Sequence, residues 1–284
     1  MKTLKLYNNE IIIYFDDELD KNGKQKHAYW IDGEEKKKNG EPKRKRLTGI
    51  TTYCGLLDKS QFLIPWAVGE TIKYIRKNLD QLQDDPKELL KRAQEEAERQ
   101  KQEAADLGKA IHSYIEQHIK GENPEMPDDE KVLRGVIAFT NFIKEHNVEF
   151  LESEKVVYSR QHGYVGILDI IAKINGKIYL LDIKTGNAIY EEAKMQTAAY
   201  LKADMEERKT AYQGRAILRI SKETEDEYKQ RMAEKNKAEY PAYQQFELVF
   251  LDEPLTIERD FASFLACKKV YEWRNEARKE LYAA

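Results

Sequence analysis

The sequence predicts an α/β (α+β) fold with a central mixed β-sheet that is flanked by helices. From about residue 100 onward, segments with helical and strand periodicity follow in the order helix, helix, strand, strand, strand, helix, strand, strand, helix. The two central strand segments are apolar on both faces, which is typical of strands that helices cover on both sides. A segment with strand signals and frequent turn residues precedes this core.

The first 53 residues are rich in strand signals. The segments IIIYF, HAYWIDG and RLTGITTY are separated by DKNGKQ and KKKNGEPKRKR, which contain the glycine, asparagine and proline residues typical of turns. We therefore expect residues 1–47 to form a β-rich N-terminal extension. Residues 48–284 then form the main domain, which opens with a helix over about 58–79.

Residues typical of helix starts predict two long helices in the first part of the main domain. Pro86 is placed in the first turn of a helix that runs to about Ile119, and the polar middle of this helix predicts a surface or projecting position. Asp128 opens the next helix, whose apolar residues recur at helical spacing up to about His146. Further helices are expected at about 189–207 and 255–282.

The strands of the main domain are short apolar runs. They are predicted at 150–159, 164–174, 177–185, 213–220 and 246–252. Residues 222–245 are highly charged and contain Pro241, so we interpret them as an insertion that is partly helical or mobile.

Composition indicates a soluble protein with a substantial core, because 41% of its 284 residues are hydrophobic and 35% are charged. No run approaches the roughly 18 apolar residues of a transmembrane helix. The N-terminus lacks the features of a signal peptide. Cys54 and Cys267 cannot supply a four-cysteine cluster or a zinc finger. We therefore expect a cytoplasmic protein without membrane association.

Charge gives a weaker indication of the partner. The net charge of -3 does not favour a polyanion, although a local basic patch can still bind one. The candidate patch is Lys36–Lys38 followed by Lys43, Arg44, Lys45 and Arg46. These residues predict a nucleic-acid contact, and the alternative is a solvated loop.

The most informative segment is residues 165–185. Two strand-like runs are joined by Asn175-Gly176, the strongest short signal for a two-residue hairpin turn. Pairing counted outward from this turn sets Asp169 opposite Asp182 at a non-hydrogen-bonded position. The Cβ atoms of such a pair are roughly 4.5–5.5 Å apart.

These two aspartates lie in apolar surroundings. Apolar residues fill both faces of the hairpin: Ile167, Ile171, Ile178 and Leu180 beside the aspartates, and Leu168, Ile170, Ala172, Tyr179, Leu181 and Ile183 on the other face. Opposed like charges destabilise a hairpin, and unpaired buried carboxylates are costly, unless a cation lies between them. Lys184 shares the face of Asp182. The alternative is a surface hairpin whose acids point to water.

Two helical spacings add further polar side chains. Gly108, His112 and Glu116 recur every four residues on one helix face, and neutral imidazole is a good metal ligand, although a lone helical histidine is more often structural. Gly108 costs about 1 kcal/mol relative to alanine, which predicts close approach of another backbone. Gln196 and Tyr200 are also four residues apart, and the alternative there is an ordinary amphipathic helix.

Taken in order, the helix GKAIH, the strands GILD and LLDIK and the helix QTAAY resemble the RecB-like branch of the PD-(D/E)xK nuclease superfamily, in its phage-type exonuclease form. LTGITTYCGLLDKSQFLIPWA is similar to the N-terminal segment of phage-encoded members, and Glu154 resembles the acid on the strand before the hairpin. The resemblance covers roughly residues 47–220. Leu168 stands where the family name has proline, a common departure in this branch.

The resemblance implies a restriction-endonuclease-like core that carries a nuclease site. Asp169, Asp182 and Lys184 are then catalytic residues, and Lys184 orients or deprotonates the attacking water. Gln196 and Tyr200 are implied to position the DNA backbone or to order the site.

The resemblance also implies a metal centre with one or two Mg²⁺ or Mn²⁺ ions. The implied ligands are His112, Asp169, Asp182 and the backbone carbonyl of Ile183. Glu116 and Glu154 are candidates for positions just outside the ligands. The DNA-contact candidates are Lys43, Arg44, Lys45 and Arg46. No iron–sulfur cluster is expected.

The implied function is a metal-dependent deoxyribonuclease, more an exonuclease than a sequence-specific endonuclease, because no finger or helix-turn-helix is visible. Its implied setting is recombination, repair or phage DNA processing in a bacterial host. The sequence has no P-loop, so ATP-driven unwinding would come from a helicase or recombination partner. Two alternatives stay open: a binding protein that keeps the fold without cleaving DNA, and a metal-dependent hydrolase of small phosphoesters.

Overall fold

Two β-sheets organise the chain, which the computed structural model describes over residues 1–18, 27–234 and 239–282. The N-terminal sheet is antiparallel and contains β1 (Lys2–Leu6), β2 (Ile11–Asp16), β3 (Ala28–Lys36) and β4 (Pro42–Leu47) in that order. The central sheet contains β5 (Val148–Ser159), β6 (Tyr164–Ile174), β7 (Lys177–Lys184), β8 (Gly214–Ile220) and β9 (Phe246–Leu251) in that order. The β7–β8 pair is parallel and the other pairs are antiparallel, so the central sheet is mixed as predicted.

The described helices match most of the predicted segments. They are α1 (Ile50–Cys54), α2 (Ser60–Lys77), α3 (Gln81–Asp84), α4 (Pro86–Ile119), α5 (Glu130–His146), α6 (Glu191–Glu207), α7 (Glu225–Glu234) and α8 (Pro254–Tyr282). Within the charged insertion, α7 is the helical part, and residues 235–238 lie outside the described residues. Among the helices described, none combines the length and apolar character that crossing a membrane requires.

The N-terminal region contains two corrections to the prediction. Residues 50–54 of the strand-like RLTGITTY segment form the short helix α1, and the strand before it ends at Leu47. The basic stretch is not wholly a turn, since Pro42–Leu47 is an edge strand paired with β3. Proline and lysine are common on edge strands because they discourage further strand pairing. A basic edge strand lacks the apolar alternation by which strands are predicted.

Helices cover both faces of the central sheet, as its apolar strands predicted. On one face, α4 and α5 pack side chains such as Ile111 and Phe139 against Ile170 and Leu218. On the other face, α1, α6 and α8 form a second core. The crossover from β7 through α6 to the parallel strand β8 sets α6 across the hairpin that carries the two aspartates.

The N-terminal sheet shares a core with the main domain. Phe15, Tyr29 and Leu47 from its inner face pack with Tyr158 and Val165 at the start of the central hairpin. This third core brings residues that are more than a hundred positions apart in sequence next to the candidate site.

A buried arginine anchors α6. Arg215 of β8 has no exposed surface and forms an ion pair with Asp260 of α8. Its guanidinium also donates to the Lys194 carbonyl and, at 3.0 Å, to the Thr197 hydroxyl, both in α6. Buried charges are tolerated where they are paired and hydrogen-bonded, so Arg215 holds α6 and its polar side chains in place.

Candidate active site

The hairpin forms with the predicted turn and register. Asn175 and Gly176 connect β6 to β7 and have φ angles of 49° and 80°. These positive values are those that a type I′ turn requires and that asparagine and glycine tolerate. Ile174 pairs with Lys177 directly beside the turn, as predicted.

The regular hydrogen-bonded pairing of β6 with β7 ends one residue pair before the two aspartates. Regular pairing between β6 and β7 ends at Ile170 and Leu181, so Asp169 and Asp182 are not a regular cross-strand pair. Instead, the Ile183 amide donates a hydrogen bond of 2.8 Å to Oδ2 of Asp169. The backbone of Ile183 therefore lies at the site, whereas its proposed role as a carbonyl ligand stays a prediction.

The side-chain alternation of β6 is not maintained at Asp169. Leu168, which strict alternation places on the face of Ile170, instead packs in the core that contains Ile171 and Leu180. Ile170 packs against α4 and α5 on the opposite side of the sheet. The predicted face of Leu168 is therefore wrong, because the strand departs from the regular pleat at the position that carries the carboxylate.

A matching irregularity lies in β5, at Glu154. This residue has a φ of 48°, which is uncommon for a side chain other than glycine and costs on the order of 1–3 kcal/mol. Its two neighbours are regularly paired with β6: Ser153 with Ile170 and Lys155 with Leu168. Glu154 therefore lies beside Asp169 across the two strands.

Three side chains converge at these irregular positions. One ligand atom from each of His112, Glu154 and Asp169 lies within 4.8 Å of the other two. His112 comes from α4, and its Nδ1 is 4.0 Å from Oδ2 of Asp169. Asp182 lies outside this group. An imidazole and two carboxylates at this spacing are a donor set that can hold a divalent metal ion.

The glycine one turn before His112 permits close contact between α4 and the end of β7. A Cβ atom on Gly108 would lie 2.8 Å from the Thr185 hydroxyl oxygen. Close approach was predicted, but the approaching group is a side chain and not a backbone. The contact places the His112 turn of the helix against the strand that carries Asp182 and Lys184.

Glu154 is the most perturbed carboxyl of the converging group. It is exposed to the cleft, but protein atoms crowd it on most sides. This partial desolvation, together with repulsion from Asp169 and Glu116, raises its pKa to about 8. Glu116 itself pairs with Lys120 one turn later in α4. The sequence placed Glu154 outside the ligands, whereas the structure groups it with His112 and Asp169.

Asp182 has a different environment. Its side chain is fully buried, and Lys184 Nζ lies 2.7 Å from Oδ2, although neither carboxylate oxygen accepts a hydrogen bond from the described residues. Burial raises the pKa of Asp182 above its ordinary value, against the opposing effect of Lys184. Burial lowers the pKa of Lys184, but Asp182 and Asp169 outweigh it, and the net shift is upward. Lys184 therefore carries a positive charge at neutral pH.

A hydrogen-bonded chain connects Lys184 to α6. Lys184 Nζ donates to Gln196 Oε1 at 3.2 Å, and Gln196 Nε2 donates to the Tyr200 hydroxyl at 2.9 Å. Tyr200 is buried across β6 because Gly166 leaves room, since a Cβ there would lie 2.5 Å from the tyrosine ring. Gln196 and Tyr200, predicted from their spacing, are thus brought to Lys184. A glycine inside a strand generally marks such a close approach, although no prediction was made from Gly166.

These groups line a cavity of about 400 Å³. His112, Glu154, Asp169, Gln196 and Tyr200 contribute to its lining. The N-terminal sheet adds two residues that the sequence did not indicate: His27 and Tyr29. No local pattern connects these two residues to a hairpin more than a hundred positions away, so only the packing of the two sheets identifies them.

The basic residues predicted to contact DNA are not part of the cavity lining. In β4, Lys43 pairs with Glu35 at 3.1 Å, and the Arg44 guanidinium lies 3.6 Å above the ring of Tyr14. Successive side chains of a strand point to opposite faces, so Lys43, Arg44, Lys45 and Arg46 do not form one patch. Their contact with DNA stays a prediction.

No family model matches the chain, and no curated protein matches it. The chemistry available to this protein must therefore be inferred from the side chains that line its cavity.

Proposed function

We propose that this protein is a metal-dependent deoxyribonuclease that acts mainly as an exonuclease, with the restriction-endonuclease-like core of the RecB-like PD-(D/E)xK nucleases. The observation that carries the proposal is the convergence of His112, Glu154 and Asp169 beside the Asp182–Lys184 ion pair. A metal-ligand set next to a cation and a hydrogen-bonded tyrosine is suited to an anionic phosphodiester.

The donor chemistry fits a hard divalent cation. Glu154 and Asp169 repel each other, as the raised pKa of Glu154 indicates, and a bound cation would reverse that repulsion. Carboxylate oxygens favour Mg²⁺ or Mn²⁺, and the imidazole of His112 makes Mn²⁺ more acceptable. Asp182 and the Ile183 carbonyl are proposed to complete the set around one or two ions. When bound, the metal supplies Lewis-acid polarisation of a phosphoryl oxygen.

The chain's own residues account for the remaining chemistry. In hydrolysis, the water oxygen bonds to phosphorus, the bond from phosphorus to the leaving sugar oxygen breaks, and that oxygen gains a proton from solvent. A carboxylate of the converging group accepts the proton that the water loses. Lys184 is charged, so it orients the water and stabilises the negative charge of the transition state, and it does not act as the base.

Gln196 and Tyr200 hold the phosphate in place. The Tyr200 hydroxyl accepts a hydrogen bond from Gln196, which leaves its own proton to donate to a phosphate oxygen. Gln196 also accepts a hydrogen bond from Lys184, so it connects the Tyr200 hydroxyl to the Lys184 ammonium group. Such preorganised donors stabilise charge as it develops.

The test compares linear and covalently closed circular duplex DNA in Mg²⁺, Mn²⁺ or EDTA. We expect degradation of linear DNA, loss of activity in EDTA, and about a 10²- to 10³-fold lower rate for Lys184→Ala. Lys173→Ala is the matched control, because Lys173 lies in the same hairpin but pairs with Glu149 on the surface. Its rate should equal that of the wild type.

Three outcomes would contradict this assignment. Binding of DNA without cleavage in any metal would favour a non-catalytic binding protein. Hydrolysis of a small phosphoester with DNA left intact would favour a small-molecule hydrolase. Cleavage of circular DNA at the rate of linear DNA would replace the exonuclease with an endonuclease.

A further inference from the structure

The cavity is lined by two kinds of polar side chain. One kind is the set of metal-ligand candidates, represented by Glu154 and Asp169. The other kind is a pair of tyrosines, Tyr200 from α6 and Tyr29 from the N-terminal sheet. Tyr29 therefore connects residues 1–47 to the site and raises the question of what its hydroxyl binds.

The N-terminal sheet holds Tyr29 in one orientation. Its ring stacks on Phe15 with a centroid separation of 4.8 Å and an interplanar angle of 15°. Its backbone pairs with Phe15 on one side and with Leu47 on the other, and only 5% of the residue is exposed. A tyrosine so constrained presents its hydroxyl at a defined position.

The hydroxyl of Tyr29 has no hydrogen-bond partner within the described parts of the chain, although the residue lines the cavity. Burial raises the pKa of Tyr29, and the nearby Glu154 carboxylate adds to the effect, so the hydroxyl keeps its proton. Tyr29 and Tyr200 line the same cavity. Both hydroxyls are therefore neutral, and neither proton has an acceptor among the described residues.

Neutral donors without acceptors suit an anionic ligand. A phosphate oxygen can accept a hydrogen bond from each hydroxyl, and such charge-assisted hydrogen bonds are roughly twice as strong as those between neutral groups. The cavity of about 400 Å³ is within the size range of small-ligand sites, so it suits one nucleotide unit with its phosphate better than a length of duplex.

We propose that Tyr29 donates a hydrogen bond to a non-bridging oxygen of the scissile phosphate, alongside Tyr200. The N-terminal sheet is then a part of the substrate site and not an independent module. This inference rests on the proposed nuclease function, and it adds a substrate-contacting residue that lies outside the segment resembling the nuclease family.

The first test is the substitution Tyr29→Phe, which removes the hydroxyl and keeps the stacked ring. We expect kcat/KM for a short oligonucleotide to fall by about 10- to 100-fold, the effect of losing a hydrogen bond to a charged group. Tyr14→Phe is the matched control, because its hydroxyl donates to Asp32 at 3.0 Å and Tyr14 is not part of the cavity lining. The control should cleave at the wild-type rate, and thermal unfolding should show both variants folded.

A second measurement separates contact with the phosphate from a structural role. A methylphosphonate replaces one of the two non-bridging oxygens with a methyl group and removes the negative charge. With the diastereomer that lacks the contacted oxygen, Tyr29→Phe should cause little further loss in oligonucleotide affinity. Non-additivity of this kind is the signature of two groups in contact. The same loss on both substrates would overturn the proposed contact.

Oligonucleotide binding with Ca²⁺ in place of Mg²⁺ distinguishes failure of this inference from failure of the nuclease assignment. If the wild type cleaves and Tyr29→Phe both cleaves and binds normally, the Tyr29 contact is wrong and the nuclease stands. If the wild type binds in Ca²⁺ but cleaves in neither Mg²⁺ nor Mn²⁺, and Tyr29→Phe binds about 10-fold or more weakly, then Tyr29 contacts a bound phosphate and the nuclease is wrong. If the wild type neither binds nor cleaves, both are wrong.

Discussion

Asp169 and Asp182 lie on neighbouring strands of one hairpin, but their surroundings differ. The side chain of Asp169 is 18% exposed, accepts the Ile183 amide and lies with His112 and Glu154. The side chain of Asp182 is fully buried and forms an ion pair with the ammonium group of Lys184.

The difference suggests that the two carboxylates have separate tasks in the proposed nuclease. The partly exposed Asp169 is accessible to a metal ion and has ligand partners beside it. Besides its proposed place in the ligand set, the buried Asp182 keeps Lys184 charged and fixed against Gln196, which lines the cavity. This is the preorganisation that electrostatic catalysis needs. Loss of Asp169 should therefore affect chemistry most, and loss of Asp182 should affect stability most.

The largest expected effect is on activity in Asp169→Asn. The amide keeps an acceptor for the Ile183 amide but loses the charge that would bind a metal. Because a Lewis acid contributes several kcal/mol, we expect cleavage to slow by about 10³-fold, equivalent to about 4 kcal/mol. Mn²⁺ affinity by calorimetry should fall in parallel. Unchanged Mn²⁺ binding would remove Asp169 from the ligand set.

The next effect is on stability in Asp182→Ala. Breaking a buried ion pair leaves a charge uncompensated, so we expect the free energy of unfolding to fall by about 3 kcal/mol. This is the lower end of the usual range, because Lys184 keeps Gln196 and is 29% exposed. Asp169→Ala should cost about 1 kcal/mol or less, because it also relieves repulsion with Glu154.

Urea unfolding measures both variants. Adding Lys184→Met to Asp182→Ala should recover part of the loss, since a buried pair is often replaceable by apolar side chains. A double variant less stable than Asp182→Ala alone would contradict the uncompensated-charge explanation.

A smaller effect concerns the space that lets Tyr200 reach the site. Gly166→Ala would place a methyl group 2.5 Å from the Tyr200 ring, so we expect a loss of about 1–3 kcal/mol in stability from overpacking. Cleavage should fall as well, because Tyr200 moves away from the phosphate. Gly69→Ala is the control, since nothing lies within 4 Å of that position in α2 and alanine favours a helix. Equal effects of the two substitutions would rule out the steric explanation.

The smallest effect is a pH dependence that comes from Glu154, because this side chain is exposed to the cleft and solvent screens its interactions. Its pKa is raised to about 8, so across pH 4.5–8 the metal-free folded protein holds a proton that the unfolded chain has released. The free energy of unfolding therefore falls as pH rises through this window, and Glu154→Gln should remove that component.

Protonation of Glu154 should also affect the affinity for metal. Because a ligand carboxyl must lose its proton, Mn²⁺ affinity should rise about fivefold between pH 7 and 8. Calorimetry in buffers of different ionisation enthalpy should detect proton release in the wild type and little in Glu154→Gln. Equal proton release in both proteins would assign the titration to another group.

Much of the central domain was predictable from local signals. The Asn175-Gly176 turn determined the register beside it, and most helix and strand bounds agreed with periodicity and capping. The four-residue spacing of His112, Gln196 and Tyr200 put them on helix faces with other polar side chains, and only the resemblance to the nuclease family assigned them to the site. The residues that could not be placed, such as Tyr29, depend on contacts over long sequence separations.

The sequence by itself determined the elements and the identity of the polar side chains that reach the hairpin, because turns, caps and periodicity act over a few neighbouring residues. Tertiary structure decided which acids meet. The left-handed backbone at Glu154 and the broken pleat at Asp169 bring those two carboxylates together and leave Asp182 buried with Lys184. Such departures arise from packing among strands and helices far apart in the chain, which no local pattern records.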